Sequence, residues 1–174
     1  YDIADFAGDL IAIAARLERK PALIGASLGG LAGIMAEGHL APGSFASLTL
    51  VDITQQMEAT GGARVVGFMA AHAQDGFASP DEAAQIISEY LPHRRSRKAS
   101  SGLANYLHKK SDGRSYWHWD PAFIEGVTRR HMQSDGAVEN GRSELSLAAS
   151  QLSLPVHLVR GGSSDLVSPE AVEH

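Results

Sequence analysis

The sequence predicts an α/β fold: parallel strands flanked by helices, interrupted by a long and mostly helical insertion. Three observations carry that prediction. The short apolar run Ala22-Leu23-Ile24 passes through a glycine-rich turn into the small-residue helix Leu31-Ala32-Gly33-Ile34-Met35-Ala36. A second apolar run, Phe45 to Ile53, follows after the breakers Gly38 and Pro42-Gly43, so strand, helix and strand make a parallel crossover, for which the right hand is the strong default. A third run, Leu154-Pro155-Val156-His157-Leu158-Val159-Arg160, comes only after a stretch that has no long apolar strand of its own.

The elements follow in order. Residues 2 to 18 place Ile3, Phe6, Leu10, Ile13, Ala14 and Leu17 on one helical stripe, which predicts a helix packed on the sheet. Pro21 ends the polar turn Glu18-Arg19-Lys20, and the continuous apolar run after it reads as a strand covered on both faces. Gly62 to Ala73 predicts a helix. Ser79-Pro80-Asp81-Glu82 is a helix start with a cap, a first-turn proline and first-turn acids, running to Leu91. Ser96 to His108 predicts a third helix, and residues 121–132 and 141–150 two more. Between them Ser111-Asp112-Gly113-Arg114 is a tight turn ahead of the aromatic segment Tyr116-Trp117-His118-Trp119-Asp120-Pro121. Ser168-Pro169-Glu170 announces a helix with few residues left to run through, and both ends of the chain look cut, as expected of an internal piece of a longer protein.

Composition excludes several classes. At 174 residues and 44% hydrophobic content the chain has material for a core. Its net charge of -5 gives no footprint for nucleic acid, and the basic run His93-Arg94-Arg95-Ser96-Arg97-Lys98 reads as a solvated face. Without cysteine there is neither a disulfide nor a thiolate metal site. No apolar stretch approaches the roughly 18 to 20 residues of a membrane span, and no charged leader precedes the first helix, so no membrane partner is expected and the cytoplasm is the default compartment. No pair of the 8 histidines has the spacing of a metalloprotease helix, and neither metal nor cofactor is expected.

The turn itself, Gly25-Ala26-Ser27-Leu28-Gly29-Gly30, carries the chemistry. A serine at the tip of so sharp a turn needs unusual torsions, and glycines two positions either side leave room for a chain that crowds itself. Residues 20 to 31 resemble the nucleophile elbow of the α/β-hydrolase superfamily in its serine-esterase form, where Gly-x-Ser-x-Gly follows a strand and opens a helix. The order of elements is similar to that family over most of the chain. The resemblance implies a partial α/β-hydrolase fold: 1–53 as the first part of the core with the elbow, 54–149 as a helical cap insertion, and 150–174 as the second part of the core with the acid loop. Strands of the parent protein that would flank these on both sides are missing, as is the loop that would bear the catalytic histidine.

In that family pattern Ser27 is the nucleophile, and the backbone N–H of Leu28 faces the oxygen on which negative charge develops. Asp165, in the Gly-rich loop Gly161-Gly162-Ser163-Ser164-Asp165 beyond a strand's carboxyl end, resembles the acid that orients the base. The plainer alternative for it is to turn the chain or cap the next helix. Asp52 also ends a strand and is the alternative acid, with a structural hydrogen bond as its plainer role. None of the histidines falls where the resemblance puts the base. His174 lies too soon after Asp165, His157 is inside a strand, and His118 sits between Trp117 and Trp119. His39, His72, His93, His108 and His131 read as ordinary helix or loop positions. In the insertion Trp117, Trp119, Tyr116 and Phe68 are the candidate substrate-binding residues, apolar area suited to an acyl or alkyl chain.

The expected function is therefore a serine hydrolase cleaving small or medium carboxylic esters through an acyl-enzyme. Serine at position 27 speaks against the dehalogenase and epoxide-hydrolase branches, which need a carboxylate nucleophile. Carbon-carbon hydrolases, hydroxynitrile lyases and cofactor-free perhydrolases remain alternatives, as does a fragment or binding relative without catalysis.

Overall fold

The computed structural model describes residues 1–90, 103–133 and 144–173. In chain order its elements are α1 (Ile3–Ala14), β1 (Ala22–Ala26), α2 (Leu28–Met35), β2 (Ser47–Val51), α3 (Ala59–Ala71), α4 (Pro80–Tyr90), β3 (Leu107–Lys109), β4 (Ser115–Trp117), α5 (Pro121–Gln133), a helical segment over 144–150, and β5 (Val156–Val159). They divide into two compact units, Tyr1–Ala63 with Arg130–His174, and Arg64–Arg129. The expected basic run 93–98, His93 and His174 lie outside the described residues.

The first unit is built on a parallel sheet of order β1-β2-β5. Gly25 pairs with Leu50 and Leu50 with Leu158, so β2 lies between the strand of the glycine-rich turn and the strand of the Asp165 loop. Helix α2 lies close on this sheet because its contact residues are glycines. A Cβ at Gly33 would stand 2.8 Å from Leu23 Cδ2 and 2.9 Å from Leu48 Cδ1. Leu31, Ile34, Met35, Leu48, Leu50 and Ile53 are buried there, joined by Ala7 of α1 and by Leu145 and Ala148 of the 144–150 segment. Each such large apolar side chain contributes roughly 1.5–3 kcal/mol by leaving water.

Helix α1 starts on a capping box. The Asp2 carboxylate accepts the Ile3 N–H at 2.6 Å, and the Asp5 carboxylate accepts the Asp2 N–H at 2.8 Å. Its buried stripe runs through Ile3, Ala7, Leu10, Ile11 and Ala14, while Ile13 is 61% exposed and Leu17 lies beyond the helix end, also exposed. The expected stripe was thus rotated by part of a turn: the small Ala7, fully buried, sets the face because it lets α1 approach α2. After α2 the chain makes one π-helical turn over Ala36–Leu40, and the buried Glu37 carboxylate accepts the Gly43 and Phe45 N–H groups at 2.6 and 3.0 Å. The loop into β2 is thereby fixed.

The strands differ from expectation in cover. β1 is not buried on both faces: Leu23 and Gly25 face α2, but Ile24 is 71% exposed, as is Val159 of β5 at 54%. The physical reason is that β1 and β5 are the edges of this sheet, and among the described residues the helices of the first unit cover one face. β2 ends at Val51 rather than Ile53, because Asp52 turns into the left-handed region at φ +53°. The final helix shrinks to one 3₁₀ turn, Glu170–Val172.

In the second unit α4 begins as its sequence predicts, with the Ser79 hydroxyl accepting the Glu82 N–H at 3.1 Å. The insertion is not helical throughout, however. Leu107–Lys109, of which Leu107 and His108 were expected to end a helix, pairs antiparallel with Ser115–Trp117 through the predicted turn, where Gly113 has φ +84° and the Lys110 N–H reaches the Arg114 carbonyl at 3.0 Å. Ser115 and Phe77 exchange two backbone bonds, so residue 77 extends this small sheet. Phe77, Ala83 and Ile124 are buried in this unit.

Candidate active site

Ser27 stands at the joint between β1 and α2 with φ +49° and ψ -123°, a conformation costing a non-glycine residue about 1–3 kcal/mol. It persists because the joint is held on both sides. The Ser27 N–H reaches the Val51 carbonyl at 3.4 Å, and the Ser27 carbonyl accepts the N–H groups of Gly30 and Leu31 at 2.9 and 3.2 Å. The side chain is exposed and its hydroxyl makes no capping bond to the helix it precedes. Leu28 is the first residue of α2, so its N–H is one of those at a helix N-terminus that no helical carbonyl takes up.

The crowding around Ser27 comes from two glycines, and one is not the expected one. A Cβ at Gly25 would lie 2.4 Å from the Gly29 carbonyl oxygen, and a Cβ at Gly30 would lie 2.4 Å from Ile53 Cγ2. A Cβ at Gly29 meets nothing within 4 Å. The spacing Gly-x-Ser-x-Gly pointed to Gly29; the sixth residue of the turn carries the packing instead, because it faces the sheet.

Asp165 lies in the loop 160–167 past β5. Because the strands are parallel, this loop and Ser27 leave the sheet at the same end, on strands two positions apart. Asp165 is exposed. Its loop is tied down from several sides. Arg160 Nε donates to the Val167 carbonyl at 2.7 Å, the Ser164 hydroxyl accepts the Leu166 and Val167 N–H groups at 3.2 and 3.1 Å, and the Glu58 N–H donates to the Leu166 carbonyl at 2.9 Å. At Gly61 a Cβ would come 2.0 Å from the Asp165 carbonyl oxygen, so only glycine lets α3 pass there.

Asp52, on the middle strand, is engaged. Its Oδ1 accepts the Gly161 N–H at 2.8 Å and its own N–H donates to the Val159 carbonyl at 2.8 Å. Sequence reasoning offered this residue a structural hydrogen bond but could not name the partner, which lies far away along the chain.

The candidate substrate residues all belong to the second unit. Phe68 stacks on Tyr90, ring centroids 4.1 Å apart, and Phe77 meets Trp117 edge-on at 5.1 Å. Tyr116 is buried; its hydroxyl donates to Asp112 at 2.7 Å and Lys110 Nζ sits 3.8 Å above its ring. That hydroxyl and the Arg114 N–H hold the Asp112 carboxyl below its ordinary value, while the bond to Asp112 pushes the Tyr116 phenol up. Tyr116, Trp117 and Trp119, with Lys110, His108 and His118, line a cavity of about 270 Å³; Phe68 does not. His118 Nδ1 lies 3.1 Å from the Tyr106 carbonyl, which fixes the proton on that nitrogen. His157 is exposed on β5. Among the described residues no group of three or more His, Asp or Glu is placed to hold a metal ion, and no helix is long and apolar enough to cross a membrane.

No family model and no curated protein matches the sequence. Solved structures do. The chain superposes on E-2-(acetamidomethylene)succinate hydrolase with a TM-score of 0.79 at 23% identity, covering 99% of this chain and 60% of that one. An α/β hydrolase from Novosphingobium aromaticivorans gives 0.74 at 22% identity, covering 99% and 60%, and an esterase of Mycobacterium tuberculosis 0.70 at 22%, covering 99% and 56%. The chain thus has the α/β-hydrolase fold and spans somewhat more than half the length of the structures it matches.

Proposed function

We propose that these residues carry the nucleophile and acid of a serine hydrolase that cleaves small or medium carboxylic esters. The observation that carries the reading is Ser27: a strained, exposed serine between a strand and a helix, at the end of the sheet where the Asp165 loop also emerges. Backbone strain of this kind is costly, and it persists where a side chain must be presented.

In this reading Ser27 Oγ attacks the ester carbonyl carbon while its proton passes to a histidine supplied from beyond residue 174 and oriented by Asp165. The Leu28 N–H, at the positive end of α2, stabilises the oxyanion; one such donor is worth roughly 3 to 4 kcal/mol of barrier. The alkoxy group departs with the proton, and water, deprotonated by the same base, releases the acid and restores Ser27. Tyr116, Trp117 and Trp119, the residues expected to take the acyl or alkyl part, line a cavity within the second unit, whereas Phe68 stacks on Tyr90 and does not line it. The Mycobacterium tuberculosis esterase among the structural neighbours supports the ester class.

The test is covalent labelling. In a chain extended past residue 174, a fluorophosphonate should modify Ser27, and Ser27→Ala should abolish both labelling and hydrolysis of p-nitrophenyl esters of graded acyl length, lowering kcat by a factor on the order of 10⁴ or more. The 174-residue chain alone should label far more slowly. Labelling at another residue, or none in the extended chain, overturns the proposal.

A further inference from the structure

We infer that Asp52 is a positioning residue for the loop that carries Asp165, a role that rests on the serine-hydrolase reading for its catalytic consequence. Asp52 sits one residue past β2 in the left-handed region, φ +53°, which aspartate tolerates better than most residues and glycine tolerates best. A glycine would suit the backbone there. What glycine lacks is the carboxylate, and that group is in use: Oδ1 accepts the Gly161 N–H at 2.8 Å, while the Asp52 N–H donates to the Val159 carbonyl at 2.8 Å. The two bonds continue the β2–β5 ladder past the last paired residues, Val51 and Val159, and hold the chain where the loop leaves the sheet.

The fit is close from the other side as well. A Cβ at Gly161 would stand 3.3 and 3.4 Å from Asp52 Oδ1 and Oδ2, so glycine at 161 gives the carboxylate its approach. At its far end the loop is closed by Arg160 Nε on the Val167 carbonyl and by the Ser164 hydroxyl, and Val167 is fully buried. Asp165 therefore rides on a segment pinned at both feet, and Asp52 is the side chain that pins its first foot to the middle strand. Through that bond Asp52 acts on Asp165 without touching substrate.

The role predicts a pattern of variants in the extended chain. Asparagine keeps an acceptor oxygen and tolerates left-handed backbone, so Asp52→Asn should stay within about threefold of wild type in fluorophosphonate labelling and in kcat. Asp52→Ala should lose at least tenfold in kcat with little change in KM, and amide exchange across 161–167 should accelerate at least tenfold. Gly161→Ala should fall between, and combined with Asp52→Ala it should add little, since both act through one bond. The exchange measurement reads the pinning whether or not the protein hydrolyses esters, and Gly161→Ala keeps the test open if Asp52→Ala fails to fold. Unchanged protection across 161–167 in Asp52→Ala overturns the inference. So does an Asp52→Asn variant as impaired as Asp165→Asn, which would make Asp52 itself the acid. Failure of Ser27 to label in the wild-type chain, with the loop still loosened by Asp52→Ala, instead overturns the hydrolase reading and leaves the pinning standing.

Discussion

At Gly25 and Gly30 a single added carbon would press into backbone or into Ile53, whereas at Gly29 it would meet open space. Gly30→Ala is expected to cost about 1–3 kcal/mol through overpacking against Ile53, and Gly29→Ala, inside α2 with a free side, is expected to leave stability unchanged or raise it by up to about 1 kcal/mol. Denaturant midpoints of the two variants, measured side by side, check the ordering. Ser27 gives a second prediction at this scale. Since its torsions suit glycine and its hydroxyl caps nothing, Ser27→Gly should raise the unfolding free energy by about 1–2 kcal/mol while removing all ester hydrolysis. A Ser27→Gly protein that melts at or below wild type would show that the joint is relaxed.

Among the elements, the β3–β4 hairpin has the clearest pH dependence. Asp112 is held below its ordinary 3.8 by the Tyr116 hydroxyl and the Arg114 N–H, so its contribution is complete above that value and disappears as acid carries the pH down through the lowered one. Tyr116 is raised above its ordinary 10.0, so its share is complete below 10 and disappears as the pH climbs through the raised value. Protection of the Arg114 and Ser115 amides, taken relative to the intrinsic exchange rate at each pH, should therefore be greatest between about pH 5 and 9, and Tyr116→Phe should reduce the acid-side loss of protection, the Arg114 N–H still holding Asp112. This hairpin also marks what the sequence could not disclose. The elbow was legible because strand, turn and helix are contiguous and their torsions are local. The turn at Ser111–Arg114 was legible for the same reason. The three-residue strands beside it were not, since no alternation fits in so few positions and their pairing is decided by contacts with each other and with Phe77. In α1 the periodicity was right but the face was off, because the deciding residue, Ala7, is small and its weight comes only from a neighbouring helix.

For the molecule as a whole, the sheet that orders Ser27 and the Asp165 loop shows Ile24, Val156 and Val159 to solvent, and within the described residues β1 and β5 have one paired side each. Unpaired edges with apolar side chains template association. The 174-residue chain is expected to self-associate at micromolar concentration, and Ile24→Lys should shift its sedimentation toward monomer; a wild-type chain that stays monomeric across that range would refute this. The strand order has a separate outcome. β2 and β5 are adjacent in the sheet although the whole second unit, Arg64–Arg129, intervenes between them in sequence, so that unit is one closed excursion of the chain between neighbouring strands. Closing such an excursion becomes harder only logarithmically with its length, about 0.6 kcal/mol for each doubling. Evolution could lengthen, shorten or replace the excursion at small thermodynamic penalty, while Ser27, its helix and the Asp165 loop stay where three short strands put them.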